Sequence, residues 1–174
     1  MHNSLIEVII ITGPSGVGKT TVAYEVAAIL GDQQISHALI DTDELDRIYP
    51  LPKDTDTLSE NNLRAIWQSF ADLGCSRLVL CGVMTDLENS LVWVKRALPE
   101  VAKLHPFRLN ASFAIIGKNL SKREVGSQLE RHIKSSKRAA ETISRSQDSA
   151  TQIDIQEKTV AAIANEILEA ANWI

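Results

Sequence analysis

Residues 13–20 read GPSGVGKT, three glycines with a lysine and a threonine directly after the apolar run IEVIIIT (6–12). Glycines this dense are costly in any regular element, because each loses more backbone freedom on ordering than other residues. The pattern fits G-x-x-x-x-G-K-[ST] through Gly13, Gly18, Lys19 and Thr20, and it stands in the context that pattern requires, after a strand and at the start of a helix. The chemistry is anion binding. Backbone N–H groups of such a loop converge on a phosphate, and the dipole of the following helix favours negative charge there. Lys19 can reach outer phosphates as a point charge, and the Thr20 hydroxyl can ligate Mg²⁺. The candidate phosphate-binding residues are therefore Gly13, Pro14, Ser15, Gly16, Val17, Gly18, Lys19, Thr20 and Thr21.

A second constellation lies in LIDTDELDR (39–47), where Asp41 and Asp43 follow an apolar run. In an extended segment residues i and i+2 point the same way, so both carboxylates can face one cleft. Two carboxylates beside a phosphate loop can support Mg²⁺ and take a proton from a hydroxyl. Asp41 is the candidate metal residue with Thr20, and Asp41 and Asp43 join Lys19 as candidate catalytic residues. The plainer alternative is capping: Asp43 with Asp46 could cap a short helix.

Elements must hold these groups in place. The run 6–12, rich in Ile and Val with little alternation, predicts a strand buried on both faces. A helix is expected from Gly18 to Leu30, with Gly31 as its C-terminal cap. SHALID (36–41) predicts a second strand, and Pro50 and Pro52 mark a loop. Leu63, Ile66, Trp67, Phe70 and Leu73 fall at helical spacing. SRLVLCG (76–82) predicts a third strand, 87–98 a helix ending at Pro99, and FRLNA (107–111) a weaker fourth strand. Residues 114–146 read as one or two polar, basic helices. TQIDI (151–155) is a fifth strand, and a last helix carries Val160, Ile163, Ala164, Ile167, Leu168 and Ala171 on one face. Strands alternating with helices imply a single α/β domain over 1–174, a three-layer α/β/α sandwich on a five-stranded parallel sheet. Ligands bind such sheets beyond the carboxyl ends of the strands.

Composition narrows the classes. Of 174 residues, 44% are hydrophobic and 23% charged, which suits a soluble globular chain. No apolar run approaches the ~18 residues of a membrane helix. Without a basic leader before the first strand, a cytoplasmic location is the expectation. Cys75 and Cys81 match no metal spacing and read as buried, reduced thiols. The net charge of −4 argues against a nucleic-acid surface. The charge is uneven: residues 118–138 hold seven basic and two acidic side chains, +5, which leaves −9 elsewhere. Such a basic segment on an acidic body suits a part that meets an anion. Trp67 and Trp93 read as core residues. Arg64 could reach an acceptor cleft, and Arg77 reads as structural.

With a glycine loop on the first strand and D-x-D after the second, the chain is identified as a member of the P-loop NTPase superfamily. Within it the chain resembles the small-metabolite kinases that act on shikimate, gluconate and adenylylsulfate. It also resembles small uncharacterised ATP-binding proteins with similar ALID-D and REVGS stretches. That resemblance implies strand order 2-3-1-4-5, ATP and Mg²⁺ as cofactors, and an acceptor bound by the D-x-D pair. It also implies that 118–138 is a lid whose arginines, Arg123 and Arg131, close over the phosphates, with Arg123 catalytic. The implied activity is transfer of the γ-phosphoryl group of ATP to a hydroxyl of a small metabolite. The alternative is a regulatory ATPase or switch without an acceptor. ATP and a small hydroxylated metabolite are the expected partners, with no nucleic acid and no membrane, in a monomer or homodimer. The third strand departs from the pattern: LVLCGVM supplies no acid at its end, so Asp41 must take that place.

Overall fold

The computed structural model describes residues 5–98, 101–123, 138, 142 and 149–174. The described elements run β1 (Ile6–Thr12), α1 (Lys19–Asp32), β2 (Ala38–Asp41), a single 3₁₀ turn (Thr42–Glu44), α2 (Thr55–Ala71), β3 (Arg77–Cys81), α3 (Leu87–Ala97), β4 (Val101–Asn110), α4 (Phe113–Arg123), β5 (Thr151–Asp154) and α5 (Val160–Ala170). All five strands are parallel, in the order β2-β3-β1-β4-β5.

The centre of that sheet follows from the sequence of β1. Val8, Ile9, Ile10 and Ile11 are all fully buried. Alternate side chains feed opposite layers: Ile9 and Ile11 pack with Val22, Val26, Leu30, Ile163 and Ile167 of α1 and α5. Val8 and Ile10 pack with Leu63, Trp67, Leu87 and Val94 of α2 and α3. A strand covered on both faces has no polar side, hence the unbroken apolar run.

Several boundaries differ from expectation, three of them around the site. Helix α1 passes through Gly31 to Asp32, and Gln34, not Gly31, takes the left-handed conformation that ends it. Strand β2 begins at Ala38, two residues later than predicted. Strand β4 starts at Val101, six residues earlier than predicted, and pairs with β1 along its length. Pro106 hid that extension, because proline removes a ladder donor. It is tolerated because β5 pairs with β4 only from Phe107 onward, so residue 106 stands on a free edge of the strand.

Between 114 and 146, residues 114–123 lie in α4, and Arg138 and Thr142 are helical, with the Thr142 hydroxyl donating to the Arg138 carbonyl at 3.0 Å. The remainder of that basic stretch lies outside the described residues.

Candidate active site

The loop between β1 and α1 takes its shape from backbone conformations that side chains disfavour. Gly13 (φ +143°) and Gly16 (φ +84°) are both in the positive-φ region. A Cβ on Gly13 would lie 2.7 Å from the Leu109 carbonyl oxygen, and one on Gly16 would lie 2.6 Å from Leu120 Cγ. The loop is thus wedged between β4 and α4 at these two positions, which hold no room for a side chain. Gly18 precedes α1 with no side-chain cap, and the first turn of α1 carries no acid. The N–H groups there are left for a ligand, in the geometry that suits an anion. Lys19 is buried at 8% exposure, and its Nζ donates to the Pro14 carbonyl at 3.2 Å. Val17 is buried at 1% exposure and also borders the cavity behind the loop.

Asp41 stands at the end of β2 and joins this loop directly. Its Oδ2 accepts from the Thr20 hydroxyl at 3.0 Å, and its Oδ1 accepts from the Asp43 backbone N–H at 3.0 Å. Asp41 therefore caps the 3₁₀ turn, a role that capping by Asp43 and Asp46 had been the alternative to fill. A hydroxyl and a carboxylate meeting in this way are hard oxygen donors suited to Mg²⁺. Asp43 projects from that turn with its carboxyl held above the ordinary range, first by burial and then by the charge of Asp41, with Lys19 drawing it down. The residue as a whole is exposed. Its carboxyl nevertheless sits at a cavity mouth where protein atoms displace part of its water.

The end of β3 explains the missing acid. The Thr42 side chain occupies the space that a Cβ on Gly82 would take, so a side chain at that position would have to displace Thr42. Next to it, burial and the Asp41 carboxylate push the Cys81 thiol up to about 12, which leaves it protonated and inert. The β3–α3 connection is held from below. The Thr12 hydroxyl accepts from Met84 N at 3.0 Å, and Arg108, 1% exposed on β4, donates to the Met84 carbonyl at 3.4 Å. A fully buried arginine at the carboxyl edge of the sheet escaped the sequence reading, since FRLNA reads only as a strand.

Two cavities flank this junction. One of about 520 Å³ opens between the D-x-D turn, the 83–86 connection, α2 and α3, and is lined by Thr42, Asp43, Asp46, Met84, Asp86, Trp93 and Arg96 among others. The second, about 420 Å³, lies on the other side of the glycine loop, with Val17, Ile115, Ile155, Val160 and Ile163 as apolar walls and Asn119 and Lys158 as polar ones. Val160, expected on the apolar face of the last helix, is 38% exposed and lines this second cavity. Trp67 is buried as expected. Trp93 is only half-buried and lines the first cavity. Arg64 does not line that cavity. It pairs with Glu60, and Arg96 lines the wall instead.

Helix α4 lies over the loop: Ile116 and Leu120 are buried, and Asn119 Nδ2 donates to the Gly16 carbonyl at 3.0 Å. The start of the basic segment is thus anchored by apolar contact. The Arg123 side chain and all of Arg131 lie outside the described residues.

A 2-3-1-4-5 parallel sheet carrying a glycine loop after its first strand defines a P-loop kinase-like protein. Residues 6–103, just over half of the chain, match the family described as adenylylsulphate kinase, and the chain belongs to that family. No curated protein matches the sequence. Solved structures are similar in fold. A tunicamycin resistance protein from Deinococcus radiodurans superposes with a TM-score of 0.66 at 17% identity, over 95% of each chain. A gluconokinase from Sinorhizobium meliloti gives 0.64 at 18%, over 97% of this chain and 93% of that one. An APS kinase from Mycobacterium tuberculosis, solved with AMPPNP and APS, gives 0.60 at 18%, over 96% and 98%. Among the described residues, no helix is long and apolar enough to cross a membrane.

Proposed function

We propose that the protein transfers the γ-phosphoryl group of ATP to a hydroxyl of a small molecule held in the 520 Å³ cavity. One observation carries this reading: the Thr20 hydroxyl meets the Asp41 carboxylate at 3.0 Å, which ties the phosphate loop to the turn that presents Asp43 to the cavity. The family and the likeness to a gluconokinase and an APS kinase support it.

Each group then has a task. The uncapped N-terminus of α1 and the loop amides hold the phosphates, and Lys19 balances charge on the transferring group. The apolar cavity behind the loop takes the nucleoside. Thr20 and Asp41 would hold Mg²⁺, which when bound offsets phosphate charge. The acceptor hydroxyl attacks the γ-phosphorus in line, its proton passes to an Asp43 carboxylate oxygen, and ADP leaves. A raised pKa suits Asp43 to this work, because a base nearer the working pH takes a proton more readily. Arg123 and Arg131 are assigned by resemblance to closing over the phosphates. On that assignment, Arg123→Ala lowers kcat more than ATP affinity.

ATP turnover measured with and without a panel of hydroxylated metabolites tests the reading. Acceptor-dependent turnover that disappears in Lys19→Ala is the expected result. Hydrolysis indifferent to every acceptor would instead favour a nucleotide switch.

A further inference from the structure

We propose that Arg96 selects acceptors that carry an acid group remote from the phosphorylated hydroxyl. The inference rests on the kinase reading and specifies the substrate class of its cavity.

Asp86, Asn89, Ser90, Trp93 and Arg96 all line the 520 Å³ cavity. Their spacing of three or four residues places them on one stripe of α3. The cavity is therefore a groove along that helix. Asp86 caps α3 at the carboxyl edge of the sheet, beside the β3–α3 connection. Arg96 lies ten residues on, roughly 15 Å at a rise of about 1.5 Å per residue. One end of the groove thus carries the carboxylates near the phosphate loop, and the other carries a guanidinium.

That guanidinium is oriented and still charged. Arg96 Nε donates to Glu60 Oε2 at 2.8 Å, which fixes its plane. The same Glu60 already accepts from Arg64 Nη2 at 2.7 Å, and Arg64 also donates to the Arg96 carbonyl at 2.8 Å. Two arginines share one carboxylate, so this corner keeps a net positive charge. Among the described residues, neither Arg96 Nη1 nor Nη2 has a hydrogen-bond partner. A surface ion pair formed for its own sake would need only one arginine, and such pairs contribute little. A planar fork with both terminal nitrogens unpaired, on a residue that lines a groove, matches a carboxylate or phosphate. Trp93, one turn earlier, offers a flat wall between the two ends.

The test uses matched acceptors: polyhydroxy acids against polyols of equal carbon number, and nucleoside 5′-monophosphates against their nucleosides, each with Mg-ATP. The acid member of a pair should turn over with the lower KM. Arg96→Gln should raise that KM ~10-fold or more, the loss of one charge-assisted bond, with a smaller fall in kcat and partial recovery in Arg96→Lys. Equal KM within pairs, or an unmoved KM in Arg96→Gln, overturns the proposal. A second measurement stands apart from turnover. With the loop filled by Mg²⁺ and a non-hydrolysable ATP analogue, inorganic phosphate should change Trp93 fluorescence saturably, with a midpoint ~10-fold higher in Arg96→Gln. Coincident midpoints overturn the anion site even if acceptor-dependent turnover is found. Turnover that no acceptor stimulates, with a shifted phosphate midpoint, overturns the kinase reading while leaving the anion site standing.

Discussion

Asp43 is the residue at which protonation and phosphoryl transfer meet. Burial and the neighbouring Asp41 hold its pKa above the ordinary carboxylate value. It therefore takes up a proton at a pH where exposed carboxylates stay ionised, and the acid limb of the kcat profile should lie above the ordinary carboxylate range. Asp43→Asn should lower kcat by ~10²–10⁴ and abolish that limb. Stability should respond in the opposite sense. A raised carboxylate pKa favours the fold below the folded pKa, and that contribution is lost as pH rises through it. Asp43→Asn should thus raise Tm at neutral pH and leave it unchanged in acid, which thermal melts at two pH values would show. A profile that keeps its acid limb in the variant assigns the proton elsewhere. Gly82 makes a second case. Thr42 fills the space of its absent Cβ, and Thr42 stands between Asp41 and Asp43. Gly82→Ala should cost ~1–3 kcal/mol as an overpacked site and lower kcat by displacing the pair. Thr42→Ala in the same chain should restore part of both, read by denaturant melts and turnover.

At the scale of elements, most of what positions the site was legible in the chain. The glycine loop, the strand before it and the helix after it share one short stretch, so local pattern specifies them together. The D-x-D pair was legible as two acids at the end of a strand, but the extended alternation expected to aim both carboxylates one way stops at Asp41: Asp43 lies in the 3₁₀ turn Thr42–Glu44, and its N–H donates back to Asp41. Arg96, Trp93 and Arg108 were not legible. Arg96 matters because Glu60, 36 positions away, orients it, and Arg108 because Met84, 24 positions away, accepts from it. No local period records such pairings. Helix α4 was legible as a helix, but its seat on the loop was not, because Gly16 receives Leu120 and Asn119 only through the tertiary fold. Leu120→Ala should destabilise by ~2–5 kcal/mol as a buried deletion. Asn119→Ala removes one bond, so stability should fall by only ~0.5–1.5 kcal/mol. If α4 shapes the nucleotide site, both variants should raise KM for ATP while leaving KM for the acceptor in place. Equal rises in both constants would mean that α4 supports the sheet as a whole.

Across the whole molecule, the sheet separates function from anchorage. The carboxyl edge carries the glycine loop, the D-x-D turn and both cavities. The opposite edge carries a clasp that closes the chain on itself. Trp173, 5% exposed, donates through Nε1 to Glu7 Oε2 at 3.2 Å. His105 Nε2 meets the same oxygen at 3.3 Å, and its ring stands edge-on to Trp173 with centroids 6.5 Å apart. Arg77, expected from its position to be structural, stacks over the indole with its guanidinium carbon 5.8 Å from the ring centroid. Residues at the starts of β1 and β3, in the middle of β4 and after α5 are thereby bound into one knot, at the end of the sheet away from the phosphate loop. Aromatic burial of this kind is worth several kcal/mol, and a large-to-small change leaves a void that the surroundings fill only in part. Trp173→Ala should lower stability by ~3–5 kcal/mol. It should leave KM for ATP, KM for the acceptor and kcat near their original values at a temperature where the variant stays folded. Sites this far apart with no shared partner act additively. Combining Trp173→Ala with Asp43→Asn should therefore reproduce the kcat of Asp43→Asn alone and sum the two stability changes. A kcat in the double variant well below that of Asp43→Asn would show that the clasp reaches the active edge through β1.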